Sequence, residues 1–540
     1  MLILLIIESI FLVAYLWYVI HSHASKQVTF YVKTLTLISW LISFSLIIIL
    51  PLDIYKNEQD LKDTQIEVIW IVLYWLTFLL TWIFLPITLD YEDAGEFTFK
   101  QKLFKAIKIN FQIYAIFGVL GIAFTIYLLV EKQFTFQALL ALTVVLSNAL
   151  GLLIVTFLLG YAIVAIPKQF FRESNHQIQL NLKYHSINKT KLLLEQESLD
   201  LDEILIEILS YESKYKNNEE YQPYIQQILQ LFTKEQIEMA KLYRLRNNNS
   251  NQLEDLNIDK LSEIHKRSKE LTYDYVRKSK KLEILTKQAL FIEDIINCDH
   301  REKKISSAAR PERVGCFGKF IDKFQYYWYV KFWKIIMYST AIVFIILGSL
   351  ITLSEIAIFG NLKFNVFIYF INDNEEFFAV QILVLIPLLY VLYCIQYGLL
   401  NIRFNRFGFY DYGYTDAPSL LFSATFVSRI AFPLAFNFFW MFNESDADIA
   451  NVVGNFNFDQ YLTEFKLAFP ILLVILIICN IFDIYDKLLG ALGFERFQFE
   501  IGFADEHTEE GQEYVQKFRL ELSNSQIPQN INQDMKQPFL

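Results

Sequence analysis

The sequence predicts an all-α polytopic membrane protein, in which five and then four transmembrane helices flank a cytosolic helical or coiled-coil region. Two observations predict this class: apolar stretches recur at the length of a bilayer crossing, and one long charged region divides them. A bilayer core is about 30 Å thick, which an α-helix crosses in about twenty apolar residues. About nine stretches have that length: 1–20, 31–50, 67–89, 109–130, 138–166, 334–354, 378–400, 419–441 and 465–485.

The composition separates this chain from soluble proteins. Hydrophobic residues make up 54% of the 540 positions and charged residues 20%, and the hydrophobic ones form blocks too uniform for amphipathic helices. The net charge of −10 and the lack of a basic patch with interleaved aromatic residues exclude a nucleic-acid partner. The lipid bilayer is therefore the first partner that the sequence predicts.

The predicted regions follow one another along the chain. Residues 1–167 are expected to hold transmembrane helices 1–5, residues 168–333 the cytosolic helical region and residues 334–487 helices 6–9. Residues 488–540 are expected to form a cytosolic tail. We expect this tail to be mostly disordered after residue 503, because it is polar and rich in Gln and Asn.

A stripe of apolar residues marks the cytosolic region. From residue 261 the apolar positions step by three and four, as in a heptad repeat. Six positions carry the stripe: Leu261, Ile264, Leu271, Leu282, Leu285 and Ile292. Two interpretations, which do not exclude each other, remain open. The region is an antiparallel helical hairpin that caps the membrane domain, or a docking arm for cytosolic or membrane protein partners.

Charge in the short loops predicts the orientation. Eight Lys and Arg residues occur in one alternate set of loops and four in the other set, which is also acidic. Because cytosolic loops carry the excess of Lys and Arg, the N-terminus is predicted outside and the C-terminus in the cytosol. With this topology, Asn443 is a candidate for N-glycosylation, since it begins an Asn-Glu-Ser sequon on the outer side.

The sequence contains no sign of catalysis. It has no P-loop, no Rossmann glycine pattern, no GxSxG and no HExxH, so neither an enzyme nor a cofactor nor a metal site is predicted. Ionisable residues at membrane depth are more informative, because each costs several kcal/mol unless it is paired or in contact with water. Glu8, Asp53 and Arg429 are such residues. They form either a structural ion pair, Glu8 with Arg429, or a ligand or ion pathway.

Several motifs resemble those of a known family. They include Leu50-Pro51-Leu52-Asp53 at the end of the second crossing, and Thr415-Asp416-Ala417-Pro418-Ser419 before the eighth. Arg429 with Pro433 and then Asn437-Phe438 follow within the eighth crossing. This ordered set is similar to the limb-region (LMBR-like) membrane protein family, and within it to the second domain-containing subfamily. The resemblance covers about residues 1–500.

The resemblance implies a nine-helix membrane protein divided five and four by a cytosolic coiled-coil region. For this branch it also implies the plasma membrane and a role in G-protein-coupled receptor or actin-related signalling. A related branch exports cobalamin from lysosomes, and another is described as a lipocalin receptor. The leading hypothesis is therefore a receptor-like or scaffolding protein that binds its partners through residues 168–333. The alternative is an endolysosomal transporter of a small ligand, such as a cofactor or lipid, along Glu8, Asp53 and Arg429.

Overall fold

The computed structural model describes residues 2–58, 64–130, 136–247, 255–298, 301, 304–305, 316–359, 377–401, 407–410, 413–441, 459–482, 484 and 505–525. Within these residues the chain is mainly helical, and a β-bridge joins Ala24 and Thr415. The first helices are α1 (Leu2–His23), α2 (Phe30–Phe44), α3 (Leu46–Glu58), α4 (Thr64–Leu79), α5 (Leu85–Asp93), α6 (Phe99–Val130) and α7 (Phe136–Glu173). Then follow α8 (His176–Lys214), α9 (Gln222–Leu229), α10 (Lys234–Asn247), α11 (Ile258–Ile296) and α12 (Cys316–Tyr326). The last are α13 (Trp333–Phe359), α14 (Phe377–Asn401), α15 (Ala417–Met441), α16 (Asp459–Ile481) and α17 (Asp505–Ser525).

In the described part of the chain, eight helical segments are long and apolar enough to cross a membrane, which confirms the predicted all-α polytopic class. They are Ile3–His23, Phe30–Lys56, Gln65–Asp93, Phe99–Ala123, Ala149–Glu173, Phe317–Ala357, Phe377–Asn401 and Ala417–Phe439. The ninth predicted crossing falls on α16, where the segment found to be apolar is Phe469–Ile481. That segment is shorter than a bilayer crossing, so a ninth span stays a prediction.

The contacts divide the chain into two units. The membrane unit contains Met1–Pro167 and Val343–Gln498, and the helical unit contains Lys168–Ile342 and Phe499–Leu540. Each unit is therefore built from two separate stretches of sequence. The four-part division that we predicted along the sequence remains a prediction.

Helix α15 makes many of the contacts inside the membrane unit, since it packs on both α2 and α5. Small residues allow close approach to a third helix. A Cβ added to Gly151 of α7 would lie 2.5 Å from Pro433 Cγ and 2.8 Å from the carbonyl oxygen of Arg429. Gly160, further along α7, is also in close contact, in its case with Leu476 of α16. Glycine at these two positions therefore allows the helices to pack closely.

The helical unit is built on α8 and α11, which run antiparallel. Lys183 near the start of α8 bonds to Gln288 near the end of α11, and Glu197 in the middle of α8 pairs with Lys278. Asn side chains begin both helices: Asn175 accepts from the backbone of α8, and Asn257 from that of α11. Such caps satisfy amide groups that have no partner within the helix.

Two predictions about local structure are wrong. The tail was expected to be disordered after residue 503, but Asp505–Ser525 form α17, which packs on α8 and α11. Asp53 was expected to follow the end of the second crossing, but it lies inside α3 and is 2% exposed. In both places the local sequence pattern led to the wrong prediction. Asp505–Ser525 are polar and yet form a helix, and Leu46–Glu58 continue as a helix although they contain Pro51.

Candidate functional site

Arg429 lies in the middle of α15, inside the membrane unit. Its Nη2 donates a hydrogen bond to the carbonyl oxygen of Thr81 over 3.4 Å, and its guanidinium carbon is 5.0 Å from the centre of the Trp82 ring. A cation over an aromatic face is attracted by about 0.5–2 kcal/mol. Among the described residues, a backbone oxygen and an indole ring therefore hold this cation, without a carboxylate.

A π-helical turn makes these carbonyl oxygens accessible. Thr81 and Trp82 belong to Leu80–Phe84, which connects α4 to α5 with π-helical geometry. Wider turns of this kind interrupt the regular i to i−4 bonding, so that their carbonyl oxygens can accept from other helices. The Tyr114 hydroxyl of α6 donates to the Trp82 carbonyl oxygen in the same turn. Three helices thus meet at one irregular turn.

The remaining two sequence-predicted pathway residues have other partners. Gln381 Nε2 donates to Glu8 Oε1 over 2.5 Å, and Trp70 Nε1 donates to Asp53 Oδ2 over 2.8 Å. Glu8 and Arg429 therefore do not form the ion pair that the sequence suggested, since the structure gives each a neutral partner on a different helix. A pathway that joins Glu8, Asp53 and Arg429 stays a proposal.

Sequence reasoning missed Glu355. This residue lies near the end of α13, is 1% exposed, and accepts a hydrogen bond from Asn437 Nδ2 over 2.7 Å. The crossing predicted from hydropathy ended at residue 354, which left Glu355 outside it. The signal that was overlooked is the apolar run Ile356–Phe359, which continues the helix beyond the glutamate.

The predicted docking stripe is mostly buried inside the helical unit. Leu261, Ile264, Leu282, Leu285 and Ile292 are 9% exposed or less, and Leu271 is half-buried. Leu282, Leu285 and Ile292 belong to an apolar cluster with residues of α8 and with Val515 of α17. These side chains stabilise the unit itself, so the stripe is not an open surface for an external partner.

Charged contacts attach α17 to this cluster. Arg519 donates to Glu293 over 2.6 Å and lies 3.0 Å from Asp294. Although burial alone would lower it, the pKa of Arg519 is raised by its bonds to these two carboxylates. Burial and a hydrogen bond donated to Glu293 raise the pKa of the neighbouring Tyr184. Both side chains therefore keep their protons throughout the physiological range.

Close backbone approach fixes the position of α17. A Cβ on Gly511 would lie 2.1 Å from the carbonyl oxygen of Tyr184, so only glycine fits this crossing. One residue earlier, Glu510 accepts from Asn188 Nδ2 over 2.5 Å. The glycosylation candidate Asn443 lies outside the described residues. Within the described residues, no three or more His, Cys, Asp or Glu side chains are grouped as metal ligands.

The membrane spans and the helical unit define an integral, multi-pass membrane protein with a large helical part outside the predicted crossings. The chain belongs to the LMBR1-like membrane protein family, whose profile matches residues 1–485. This match confirms the family resemblance seen in the sequence motifs.

Individual relatives place the chain beside one subfamily. LMBR1 domain-containing protein 2 homolog A of Dictyostelium discoideum is 25% identical over 578 residues, which cover 94% of this chain and 77% of that protein. The G-protein coupled receptor-associated protein LMBRD2 of Homo sapiens is 24% identical over 521 residues, with 90% and 73% covered. LMBRD2B of Danio rerio, which carries the same receptor-associated name, is 24% identical over 517 residues, with 90% and 72% covered. No solved structure matches the chain.

Proposed function

We propose that this protein is a receptor-associated scaffold of membrane signalling, located in the plasma membrane with its N-terminus outside and its helical unit in the cytosol. The excess of Lys and Arg in one set of loops supports the orientation. The names of the human and zebrafish relatives support the receptor association. The membrane unit serves as the anchor, and the helical unit contacts the partner.

Exposed leucines on α8 are the observation that carries this proposal. Leu192 is 48% exposed and Leu199 is 70% exposed, and two positions seven residues apart share one face of a helix. Leu193, beside the first, is 39% exposed. Another side of α8 is buried, for example at Ile187 and Leu201. Helix α8 therefore buries one apolar side within its own unit and exposes leucines on another side.

The partner proposed for these leucines is the cytosolic side of a G-protein-coupled receptor. Neighbouring exposed apolar side chains often mark a protein–protein interface, because burying them removes about 25 cal/mol of unfavourable hydration per Å². A receptor in the same bilayer needs no long-range encounter, since both proteins are confined to the membrane. A modest apolar contact is then sufficient for association.

Proximity labelling tests this proposal. A labelling enzyme is fused after Leu540, and the protein is expressed at its native level with Leu192→Gln and Leu199→Gln together. We expect receptor labelling to fall at least about tenfold at unchanged protein abundance, since each of the two lost leucine contacts contributes on the order of 1 kcal/mol. The matched control is Met239→Gln with Leu242→Gln, which changes two exposed apolar residues of α10. Equal receptor labelling in the test and control variants would contradict the proposal.

Transport of a small ligand is the second candidate, supported by the buried polar side chains of the membrane unit. Labelling of endolysosomal, cofactor-handling proteins in place of receptors would favour it. Deleting residues 255–298 cannot separate the two functions, because α11 forms the core of the helical unit. The α8 substitutions are therefore the cleaner test, since a transporter retains its flux when they are made.

A further inference from the structure

One helical segment is much longer than a bilayer crossing needs. Phe317–Ala357 run through α12, a π-helical turn at Tyr327–Phe332 and α13, and comprise 41 residues. At 1.5 Å per residue a helix of that length measures about 60 Å, whereas a bilayer with its headgroup regions is about 40–45 Å thick. Part of the segment therefore extends beyond an upright crossing.

The distribution of charge shows which part that is. Residues 335–354 contain no Asp, Glu, Lys or Arg, and they supply the length of about twenty residues that a crossing needs. The charged residues of the segment precede them, apart from Glu355: Lys319, Asp322, Lys323, Lys331 and Lys334. Tyr326-Tyr327-Trp328-Tyr329 form an aromatic cluster of the kind that is enriched at a membrane–water interface. Helix α12 therefore begins at the edge of the bilayer.

Phenylalanines are exposed along one side of α12. Phe317, Phe320 and Phe324 are 78%, 67% and 58% exposed, and their spacing by three and four places them on one face of the helix. In the following turn the Trp328 ring stacks on Phe324, with 5.9 Å between the ring centres. Neighbouring apolar rings are unfavourable in water, which indicates that another surface covers this phenylalanine face.

The opposite side of α12 is covered by the protein itself. Gly318 and Tyr326 are buried and Asp322, midway between them, is partly buried, and a spacing of four places these three on one face. Lys319 and Lys323 lie between this side and the phenylalanine face, and both are exposed. A lysine in such a position can cover apolar surface with its methylene groups while its ammonium group reaches a polar surface.

We propose that α12 lies in the membrane interface, with its phenylalanine face in the boundary between headgroups and acyl chains and with Lys319 and Lys323 on anionic lipid headgroups. An apolar face flanked by lysines is the chemistry of helices that lie in the interface plane. The two ammonium groups complement anionic headgroups, which attract basic residues near the bilayer surface. The turn at Tyr327–Phe332 allows the change of direction, since helices often kink at π-helical turns.

Continuity with a crossing favours the bilayer over a protein as the occupant. Because α12 leads through one turn into α13, the leaflet that α13 enters is always within its reach. Covalent attachment of this kind raises the effective concentration of the two surfaces, so that a short helix can bind lipid without further contacts. The interface then holds the start of α13 at a fixed depth in the bilayer.

Fluorescence quenching by lipids tests this location. The full chain, with its native cysteines replaced, is labelled with a fluorophore at Phe320→Cys and reconstituted in nanodiscs whose lipids carry a nitroxide just below the headgroup. We expect a large loss of fluorescence, because quenching requires contact between the fluorophore and the nitroxide. Leu242→Cys, an exposed apolar position of α10, is the matched control and should lose less. A loss at Phe320→Cys no greater than at Leu242→Cys overturns the proposal.

Anionic lipid tests the two lysines. We expect phosphatidylglycerol, added to phosphatidylcholine nanodiscs at low salt, to increase the fluorescence loss at Phe320→Cys, because it attracts the ammonium groups. Lys319→Gln together with Lys323→Gln should abolish this increase. The control, Lys234→Gln with Lys241→Gln, changes two exposed lysines of α10 and should retain it. An increase that persists without Lys319 and Lys323 overturns their role as headgroup ligands.

A water-soluble quencher separates the bilayer from other surroundings of the phenylalanine face. Iodide should quench the fluorophore at Phe320→Cys only weakly when lipid covers it. Strong quenching by iodide would show that the face lies in water. Protection from both iodide and the lipid nitroxide would show that protein covers it, and either result overturns the proposal.

Discussion

At the scale of single residues, Arg429 illustrates how a guanidinium is accommodated within a membrane unit. A π-helical turn supplies the carbonyl oxygen of Thr81, and the Trp82 ring lies under the guanidinium plane. Pro433 lacks the N–H group that would otherwise bond to the Arg429 carbonyl oxygen, and Gly151 packs against both residues. The position of the Arg429 guanidinium, the π-helical turn that binds it and the close packing of Gly151 therefore depend on one another.

Replacing Arg429 tests this dependence. We expect Arg429→Met to lower stability by about 1–3 kcal/mol, because both the cation–π contact and the bond to Thr81 are lost. Arg429→Lys should recover little of it, since an ammonium group lacks the planar face that stacks on Trp82. Thermal unfolding in nanodiscs measures the change. Full recovery by lysine would show that charge alone matters there.

Residue-scale prediction from sequence succeeded for some side chains only. Arg429 and Asp53 were singled out because a charge interrupts or borders an apolar block, although Asp53 was placed after the end of a crossing and lies inside α3. Their partners could not be predicted, because Thr81 is 348 residues from Arg429, and Trp70, although only 17 residues from Asp53, lies on a different helix whose packing a local pattern does not reveal. Glu355 escaped because hydropathy averages over a window and ends a span at the first carboxylate.

At the scale of helices, two close contacts between helices depend on glycine, which has no side chain. Gly511 of α17 meets the backbone of Tyr184, and Gly151 of α7 meets Pro433 of α15. Backbone cannot move aside as the end of a flexible side chain can. These two glycines therefore determine how closely their helices approach each other.

We expect Gly511→Leu to displace α17 from the helical unit, because its Cβ would overlap the Tyr184 carbonyl oxygen. Limited proteolysis should then cleave within Asp505–Ser525 at least tenfold faster, since protection follows the free energy of local opening. Gln512→Leu, at the next and exposed position, is the matched control. Unchanged cleavage in Gly511→Leu would show that α17 does not need this close approach.

Gly151→Leu should destabilise the membrane unit by about 1–3 kcal/mol, because overpacking at a close helix crossing forces the helices apart. Gly118→Leu in α6 is the control, since nothing lies within 4 Å of a Cβ at that position. The fraction of monodisperse protein after detergent extraction measures the effect. Equal losses in the two variants would contradict a special role for the α7–α15 crossing.

Helices were predicted more reliably where their sequence period was clear. The stripe from Leu261 to Ile292 indicated α11, and its burial against α8 agrees with a helical hairpin, whereas capping of the membrane domain stays a prediction. Helix α17 was missed because its polar sequence resembles a disordered tail. Its order comes from residues distant in sequence, such as Glu293 and Asn188, which a local pattern cannot reveal.

At the scale of the whole molecule, each unit is assembled from two separated stretches of the chain. The helical unit needs both the region between the fifth and sixth predicted crossings and α17. If the loop charges determine the topology as proposed, both stretches lie in the cytosol and the start of α1 lies outside.

Labelling of single cysteines with a membrane-impermeant reagent in intact cells tests this topology. We expect a cysteine at Ser25 or Gln512 to stay unlabelled until the membrane is permeabilised, and one at Glu58, just after the second span, to react in intact cells. The native cysteines are first replaced by serine or alanine, and the unlabelled cysteine-free protein is the control. Labelling of Gln512→Cys in intact cells would show that the orientation is inverted.

The discontinuous helical unit also constrains how the protein is made. About 200 residues separate Ile296 from Asp505, so at about 5–20 residues per second α8 and α11 are complete roughly 10–40 s before α17. During that interval the apolar surface around Leu285, later covered by Val515, is open to chaperones. A chain that ends before α17 would leave this apolar surface exposed to water, because Val515 would be missing from the cluster.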